Sequence, residues 1–282
     1  MVINFQKMHG TMNDFVVFPD KNGMVELTAQ EVVRVCDRRS GVGSDGIIIV
    51  RPSACADFFM DYINSNGSLA EMCGNGIRCL AKYVYDEGLT DKEKLSVETR
   101  AGVKMLELFP GPDGKIVRVK VNMGQPVFDP NHIPTRIHTL RIPIIDYPIE
   151  VQGVTFLASI VSMGNPHCVI FLEGDIESFP SRYGPSLENH SVFPSRTNVE
   201  FVKPIAPDKL LMRVWERGSG ETLSCGTGAC AAAVAASLKG LVDHTVTVQL
   251  LGGDLEIDWR GQNASVFMTG PATTVYNGTI TI

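Results

Sequence analysis

The feature that most restricts the fold of this 282-residue chain is an internal repeat with an offset of 152 residues. The segment FFMDYINSNGSLAEMCGNG, residues 58–76, aligns without gaps with LLMRVWERGSGETLSCGTG, residues 210–228. The same offset carries Asn13 onto Asn165, and an apolar run follows each asparagine. A repeat that covers most of each half predicts two similar units, with the boundary between them near residues 124–129.

Each half has a mixed pattern of helices and strands. Thr28 and Glu31 form a capping box that predicts a helix start, while GIIIV, LSVETR, VKMLELF and IVRVKV predict strands, with GPDG as a turn. An apolar helix is predicted after Cys73 as far as Gly88, and another, which includes ACAAAVAASL, after Cys225 as far as Gly240. The final strand, TTVYNGTITI, lacks a counterpart and is expected to return to the first unit. We therefore expect a first lobe of residues 1–124 with 271–282, and a second lobe of residues 125–270.

Charge and composition exclude several classes of function. The net charge is −6 and the basic residues form no long run, which argues against nucleic acid or an anionic membrane as a partner. No stretch of about 18 apolar residues is present, and the N-terminal sequence is not expected to be a secretory signal. Seven cysteines without a C-x-x-C pair favour a reducing, cytoplasmic protein whose thiols are mostly buried.

The two repeated cysteines each precede a glycine-rich helix start. Unpaired backbone N–H groups there carry a partial positive charge, which would lower a thiol pKa from roughly 8.5 and would also hold a carboxylate. The glycines at 74, 76, 226 and 228 leave space for such a ligand, and Asn75 and Thr227 would add polar contacts. The pattern therefore predicts two equivalent sites for one small carboxylate.

Two thiols suit the inversion of a stereocentre beside a carboxylate. One thiolate removes the α-proton from one face and one thiol returns a proton to the other face, and the roles exchange in the reverse reaction. Because an amino-acid α-proton is weakly acidic, such a site must stabilise the carbanion with N–H donors and must exclude water. Cys73 and Cys225 are therefore the candidate acid–base pair.

The other cysteines and one glycine motif have simpler interpretations. We expect Cys36, Cys55 and Cys168 to be buried in the core. Cys79 and Cys230 should point elsewhere on their helices than Cys73 and Cys225, and we expect them to be core residues as well. A zinc site does not fit the C-x5-C and C-x4-C spacings, and a disulfide between Cys73 and Cys225 would be a side reaction of oxidation. The segment GVGSDG matches a dinucleotide motif, but a helix precedes it and a strand follows, the reverse of the required order.

Several blocks of the sequence together resemble diaminopimelate epimerase. They are KMHGTMNDFVV, SDG, NSNGSLAEMCGNGIRC, MGNPHCV, RTNVEFV and ERGSGETLSCGTGACA, and they occur in order from about residue 5 to about residue 272. The resemblance implies an α/β (α+β) fold of two pseudo-symmetric lobes. Each lobe would be a β-barrel-like, mostly antiparallel sheet wrapped around a central helix, with the active site in the cleft between the lobes.

The resemblance also implies an activity and a set of site residues. The activity is interconversion of LL- and meso-diaminopimelate in lysine and cell-wall precursor synthesis, without pyridoxal phosphate, metal or other cofactor. Cys73 and Cys225 would be the acid–base pair, supported by His167 and Glu216. The residues implied to bind substrate are Asn13, Asn64, Gly74, Asn75, Asn165, Asn198, Glu216, Arg217, Gly226 and Thr227. A homodimer is a further expectation.

The sequence leaves two alternative functions open and shows one departure from the family pattern. A racemase or epimerase of the same fold could act on proline, hydroxyproline or histidine, and would not need Arg217 and Asn64 for a second zwitterionic end. A thiol protein that binds metal or senses redox state, without turnover, is the alternative from another class. Met12 stands where the family usually has glycine, next to Asn13, so the loop that presents this asparagine is expected to differ.

Overall fold

The computed structural model describes all 282 residues, which form two compact units. Residues Met1–Asn122 and Thr269–Ile282 form unit 1, and Met123–Met268 form unit 2. In chain order the elements are β1 (Val2–Gly10), β2 (Asn13–Pro19), α1 (Ala29–Cys36), β3 (Gly46–Arg51), β4 (Phe58–Asn64), α2 (Gly74–Asp86), β5 (Lys94–Thr99), β6 (Gly102–Pro110), β7 (Ile116–Gly124), β8 (Ile144–Val151), β9 (Val154–Ser162), β10 (Pro166–Phe171), α3 (Phe179–Glu188), β11 (Asn198–Ala206), β12 (Lys209–Glu216), β13 (Gly220–Thr222), α4 (Gly226–Leu238), β14 (Thr245–Leu250), β15 (Gly253–Asp258), β16 (Val266–Pro271) and β17 (Thr273–Thr281).

The two units have the same order of strand pairing. In unit 1, β17, β1 and β2 pair antiparallel, β2 and β3 pair parallel, β3 and β4 antiparallel, β4 and β5 parallel, and β5 and β6 antiparallel. In unit 2, β8, β9 and β10 pair antiparallel, and β10–β11, β11–β12, β12–β14 and β14–β15 repeat the same alternation. The repeat in the sequence is therefore a repeat of topology.

The last strand confirms one expectation and corrects another. β17 pairs with β1 over its whole length, so the end of the chain does complete the first unit. The expectation that β17 has no counterpart is wrong, because β8 pairs with β9 as β17 pairs with β1. Unit 2 takes this strand from the segment before β9, whereas unit 1 takes it from the end of the chain.

A buried helix lies at the centre of each unit. α2 packs against β1, β2, β3, β4 and β6, and α4 packs against β9, β10, β11, β12, β14 and β15. The apolar residues of α2 that the sequence predicted to be buried, Ile77, Leu80 and Val84, are fully buried. The alanine-rich helix α4 is buried on all sides from Ala229 to Ala236, as the sequence also predicted. Small side chains on α4 let surrounding strands approach it closely. Replacing Leu80 with alanine would cost about 2–5 kcal/mol of stability, because a cavity would remain.

The remaining local predictions are confirmed with one exception. The capping box at Thr28 is present, and Gly88 and Gly240, both with positive φ, follow the ends of α2 and α4. Of the cysteines assigned to the core, Cys36, Cys79, Cys168 and Cys230 are buried, but Cys55 is exposed in the loop before β4. No helix of the structure is long and apolar enough to span a membrane.

Candidate active site

Cys73 is the N-cap residue of α2, so the helix begins directly beside its thiol. Its backbone is extended, with φ −138°, and its Sγ accepts the N–H of Gly76 at 3.4 Å. Gly74 and Asn75, the first two helical residues, are both buried. The first turn of α2 therefore presents backbone N–H groups beside a half-buried thiol, as expected for a site that holds a carboxylate.

Asn13, the first residue of β2, faces Cys73 with its carbonyl oxygen. Oδ1 lies 3.5 Å from Cys73 Sγ and accepts Asn75 Nδ2 at 3.3 Å, while Nδ2 donates to Asp45 Oδ2 at 2.6 Å. Asp45 accepts the backbone N–H of Asp14 at 3.1 Å as well. Because a carboxylate accepts and cannot donate, Asp45 selects the orientation of the amide that points oxygen at the thiol.

Asn75 belongs to the hydrogen-bonded group around Cys73, whereas Asn64 has its contacts elsewhere in unit 1. Asn75 Oδ1 accepts the Thr11 hydroxyl at 3.2 Å, which leaves its amide N–H groups directed to Asn13. Asn64 ends β4, pairs across the sheet with Gly46, and donates to Ser68 Oγ at 3.0 Å. Asn64 therefore lies on the neighbouring strand to the segment that carries Asp45.

Cys225 occupies the same position in unit 2, as the N-cap residue of α4 with φ −127°. Its Sγ lies 3.6 Å from Thr227 Oγ1, and its thiol also contacts the Glu216 carboxyl. Glu216 ends β12, and its Oε1 accepts the Thr222 hydroxyl at 2.5 Å. Gly226 opens α4 and is buried. The second half-site therefore has a carboxyl group beside the thiol.

The sequence predicted that the helix start lowers the thiol pKa, and for Cys225 this prediction is wrong. Burial raises the pKa of the Cys225 thiol well above its usual value, and the carboxylates of Glu216 and Glu200 raise it further. The Thr227 hydroxyl and the Gly228 N–H oppose this effect without reversing it. Burial also raises the pKa of Glu216, so its carboxyl can take up a proton closer to neutral pH.

His167 is the second residue of β10 and is fully buried. Its Nδ1 lies 2.7 Å from Glu200 Oε1, and its Nε2 lies 2.9 Å from Asn165 Oδ1. Asn165 Nδ2 in turn donates to Thr227 Oγ1 at 3.3 Å. The strand β10 begins at Pro166, directly after Asn165. Asn165, His167 and Thr227 therefore belong to one hydrogen-bonded group behind Cys225.

Asn198 and Arg217 lie further along the same unit, and Arg217 belongs to a loop held by the buried Glu188 carboxylate. Asn198 opens β11, donates to Pro166 O at 2.9 Å, and accepts the Arg217 backbone N–H at 3.0 Å. Glu188 accepts the Gly218 N–H at 2.8 Å through one oxygen and the Trp215 indole N–H at 2.7 Å through the other. The Arg217 side chain is exposed, with one donor directed to Ser195 O at 3.3 Å.

The structure explains why Met12 is an unusual residue at its position. Thr11 and Met12 form the two-residue loop between β1 and β2, and both have positive φ, 49° and 62°. A loop with positive φ at both positions is a type that favours Asn and Gly. At the equivalent place in unit 2, Gly164 has φ 96°. Met12 keeps the glycine-like backbone, so Asn13 is still presented to Cys73.

Three carboxylates that hold predicted site residues, or the loop that carries one, were not themselves predicted: Asp45, Glu188 and Glu200. Glu200 follows Asn198 by two residues in a strand, so both side chains lie on one face of the sheet. A glutamate in the apolar strand NVEFV was a usable signal, because buried charges need a partner. Asp45 had no such signal, since SDG is an ordinary turn sequence. No group of three or more His, Cys, Asp or Glu side chains that could hold a metal ion is found.

Comparisons with known proteins give a family for the chain. The diaminopimelate epimerase family model matches residues 5–128 and 159–275. A diaminopimelate epimerase from Leptospira biflexa is 47% identical over 283 residues, covering 100% of this chain and 100% of that protein. One from Acetivibrio thermocellus is 47% identical over 279 residues, covering 99% of this chain and 98% of that protein.

A comparison of structures agrees on the fold. A crystal structure of a probable proline racemase from Agrobacterium radiobacter, with bound carbonate, matches with a TM-score of 0.73 at 14% identity, covering 99% of this chain and 93% of that one. At this identity the likeness concerns the fold alone. Full-length identity near one half, with both cysteine blocks in place, shows that this chain belongs to the diaminopimelate epimerase family.

Proposed function

We propose that this protein interconverts LL- and meso-diaminopimelate by removing a proton from one α-carbon and returning one to its opposite face. The observation that carries the proposal is the duplicated half-site, a cysteine at a helix start in each of two units of the same topology. Membership of the diaminopimelate epimerase family supports the substrate. The proposal requires both thiols to act on the same substrate molecule.

The proposed reaction requires each half-site to contain a group that carries a proton and hydrogen-bond donors that stabilise the carbanion. A thiolate takes the α-proton, and the electron pair of the broken C–H bond moves into the adjacent carboxylate, which gains charge. Backbone N–H groups at the start of α2 and α4, at Gly74, Asn75, Gly226 and Thr227, are suited to stabilise that charge. The other thiol then gives its proton to the carbon. Each sulfur ends in the form in which the other began, so the reverse reaction uses the same groups.

The family resemblance suggests the remaining assignments, and contacts within each unit support them. Glu216 contacts the Cys225 thiol and is suited to accept its proton, while His167 supports the same thiol from behind. Asn13, Asn64, Asn165, Asn198 and Arg217 are proposed to bind the substrate, with Arg217 reserved for the distal carboxylate. An exposed guanidinium beside a loop fixed by Glu188 is suited to bind a carboxylate through two hydrogen bonds. No cofactor is part of this proposal.

The deciding experiment is proton NMR of LL-diaminopimelate with the enzyme in D₂O under reducing conditions. We expect deuterium to enter one α-position as the meso form appears, and we expect Cys73→Ala and Cys225→Ala each to abolish epimerisation. Cys55→Ala is the matched control, because Cys55 is exposed and lies outside both half-sites. Loss of activity in that control would contradict the assignment of the two repeated cysteines.

The same assay decides between substrates and classes of function. Exchange with proline, hydroxyproline or histidine but not with diaminopimelate would favour the alternative racemase. No exchange with any amino acid, together with stoichiometric zinc or a stable disulfide under cytosolic reducing conditions, would favour a metal-binding or redox-sensing protein. Residence in the cytoplasm and a homodimeric state remain predictions, the latter measured by light scattering after size exclusion.

A further inference from the structure

Glu200 and His167 form a pair that is fully removed from solvent behind the start of α4. Both side chains are 0% exposed, and Oε1 lies 2.7 Å from Nδ1. The second carboxyl oxygen, Oε2, has no hydrogen-bond partner. Gly228 makes room for the carboxyl, since a Cβ at that position would lie 2.7 Å from Oε1. A buried carboxylate is costly unless it is compensated, so His167 is the group that compensates it.

The hydrogen bonds of His167 fix where its protons lie. Nε2 faces the carbonyl oxygen of Asn165 at 2.9 Å, and a carbonyl oxygen only accepts, so Nε2 carries a proton. The contact between Nδ1 and Glu200 Oε1 needs a second proton between the two atoms. The pair therefore holds one proton more than a neutral imidazole beside a carboxylate. Glu200 is the acceptor that makes this arrangement possible.

The direction of donation then passes from His167 to the thiol. Asn165 accepts through Oδ1 and so turns Nδ2 to Thr227 Oγ1, at 3.3 Å. Cys225 Sγ lies 3.6 Å from the Thr227 oxygen, and either group can donate while the thiol is protonated. Once the thiol is ionised, only the Thr227 hydroxyl can donate. A hydroxyl that donates to sulfur stabilises the thiolate more than the thiol.

We propose that Glu200 is a positioning residue, which acts through His167 and Asn165 to fix the Thr227 hydroxyl as a hydrogen-bond donor to Cys225 Sγ. Its importance for turnover rests on the proposed epimerase function, whereas its effect on the thiol does not. Without the carboxylate, the imidazole can place its proton on Nδ1, the Asn165 amide can turn over, and Thr227 can accept from the thiol instead.

The hydrogen-bonded group of Glu200, His167, Asn165 and Thr227 would stabilise the anion of a thiol that is otherwise hard to ionise. The carboxyl groups that face Cys225 are those of Glu216, in contact with it, and Glu200, and both disfavour its anion. Glu216 is suited to take the proton, but the remaining thiolate still needs a donor in a buried position. The Thr227 hydroxyl, held in one direction, supplies that donor.

The test measures the reactivity of the Cys225 thiol directly, without substrate. In a chain that also carries Cys73→Ala and Cys55→Ala, iodoacetamide labels Cys225, and peptide mass spectrometry gives the rate across neutral and alkaline pH. We expect Thr227→Val to lower the rate near neutral pH by about tenfold, because a hydrogen bond to a charged group is lost. Thr227→Ser keeps the hydroxyl and is expected to keep most of the rate, which makes it the matched control.

The link to Glu200 is tested by a double-mutant cycle. Glu200→Leu removes both a carboxylate that disfavours the Cys225 anion and the orientation of the Thr227 hydroxyl, so the comparison between backgrounds decides. Glu200→Leu should slow labelling of the chain that keeps Thr227 relative to its effect in the Thr227→Val background, and the double variant should be no slower than Thr227→Val alone. If the two effects multiply, or if Thr227→Val labels at the same rate as the unsubstituted threonine, the proposal is wrong. Melting temperature and far-ultraviolet circular dichroism identify any variant that fails to fold.

A second variant keeps the test decisive if Glu200→Leu does not fold. Asn165 is only half-buried, so Asn165→Leu breaks the chain of donors at a more tolerant position. Its effect should also disappear in the Thr227→Val background. A protein that shows this coupling but does not epimerise diaminopimelate would lose the proposed function and keep the role of Glu200. An active epimerase without this coupling would support the proposed function and would contradict the role of Glu200.

Discussion

Asp45 holds Asn13 by a 2.6 Å hydrogen bond from Nδ2 to Oδ2, and this contact turns the Asn13 carbonyl oxygen towards the Cys73 thiol. The equivalent asparagine of unit 2, Asn165, has the other orientation, since its oxygen faces His167 and its amide nitrogen faces Thr227. The two half-sites share a backbone and a helix start. They differ in the partner that orients the asparagine.

Removal of Asp45 should therefore impair catalysis through Asn13. We expect Asp45→Ala to lower kcat/KM by about 10- to 100-fold, because a hydrogen bond to a charged group is lost and the amide can turn over. The effect should largely vanish in an Asn13→Ala background, as measured by a double-mutant cycle of kcat/KM. Asp113→Ala, in the exposed turn before β7, is the control and should match the native rate. Additive losses would show that Asp45 acts elsewhere.

Replacing Met12 with glycine should stabilise the protein. A residue with a side chain at φ 62° costs roughly 1–2 kcal/mol, while glycine loses about 0.5–1 kcal/mol through the entropy of the unfolded chain. The difference predicts a gain of about 0.5–1 kcal/mol in the free energy of unfolding, measured by denaturant titration. Met24 is also exposed but lacks positive φ, so Met24→Gly should give no gain. Equal effects of both variants would contradict the explanation.

Gly228 and Gly76 occupy equivalent places in the two helices but should respond differently to alanine. At Gly228 a Cβ would lie 2.7 Å from Glu200 Oε1 and 3.3 Å from Cys225 Sγ, and Glu200 is held by His167. At Gly76 the closest atom, at 2.9 Å, is the flexible end of Ile48. We expect Gly228→Ala to reduce kcat by more than about tenfold, corresponding to about 1.4 kcal/mol, with a much smaller effect of Gly76→Ala. Steady-state kinetics of the pair, with melting temperatures, decides this, and similar losses would exclude a special role for the Glu200 carboxyl.

The pH dependence of stability should include a contribution from Asp14. Burial alone would raise its pKa, but hydrogen bonds from Arg38 and Lys7 outweigh burial and hold the pKa at about 2. A carboxyl whose pKa is lower in the folded state stabilises the protein above its unfolded pKa, near 4, and loses this contribution as the pH falls towards 2. We expect Asp14→Asn to cost about 2 kcal/mol at pH 6, less at pH 3, measured by denaturant unfolding at each pH. A cost that does not change with pH would show that lost packing, not charge, explains it.

Many elements of this chain can be predicted from its sequence, because the signals that define them are local and occur twice. The capping box at Thr28, the glycines that follow both central helices, and the apolar spacing after Cys73 and Cys225 depend on neighbours a few residues away. Such patterns define the elements, and the repeat makes two instances of each available. The order of the blocks identified the family from sequence, before any distance was known.

What only the tertiary structure decided is the environment of each functional group. The thiol pKa of Cys225 is raised because burial and two carboxylates outweigh the helix start, and both carboxylates come from other strands. Asp45, Glu188 and Glu200 act on residues between 20 and 40 positions away in the chain, which no local pattern records. The counterpart of β17 was missed for the same reason, since β8 is defined by its pairing with β9. The sequence by itself therefore determined the elements, the repeat and the two candidate thiols, whereas long-range burial and hydrogen bonding decided the surroundings of those thiols.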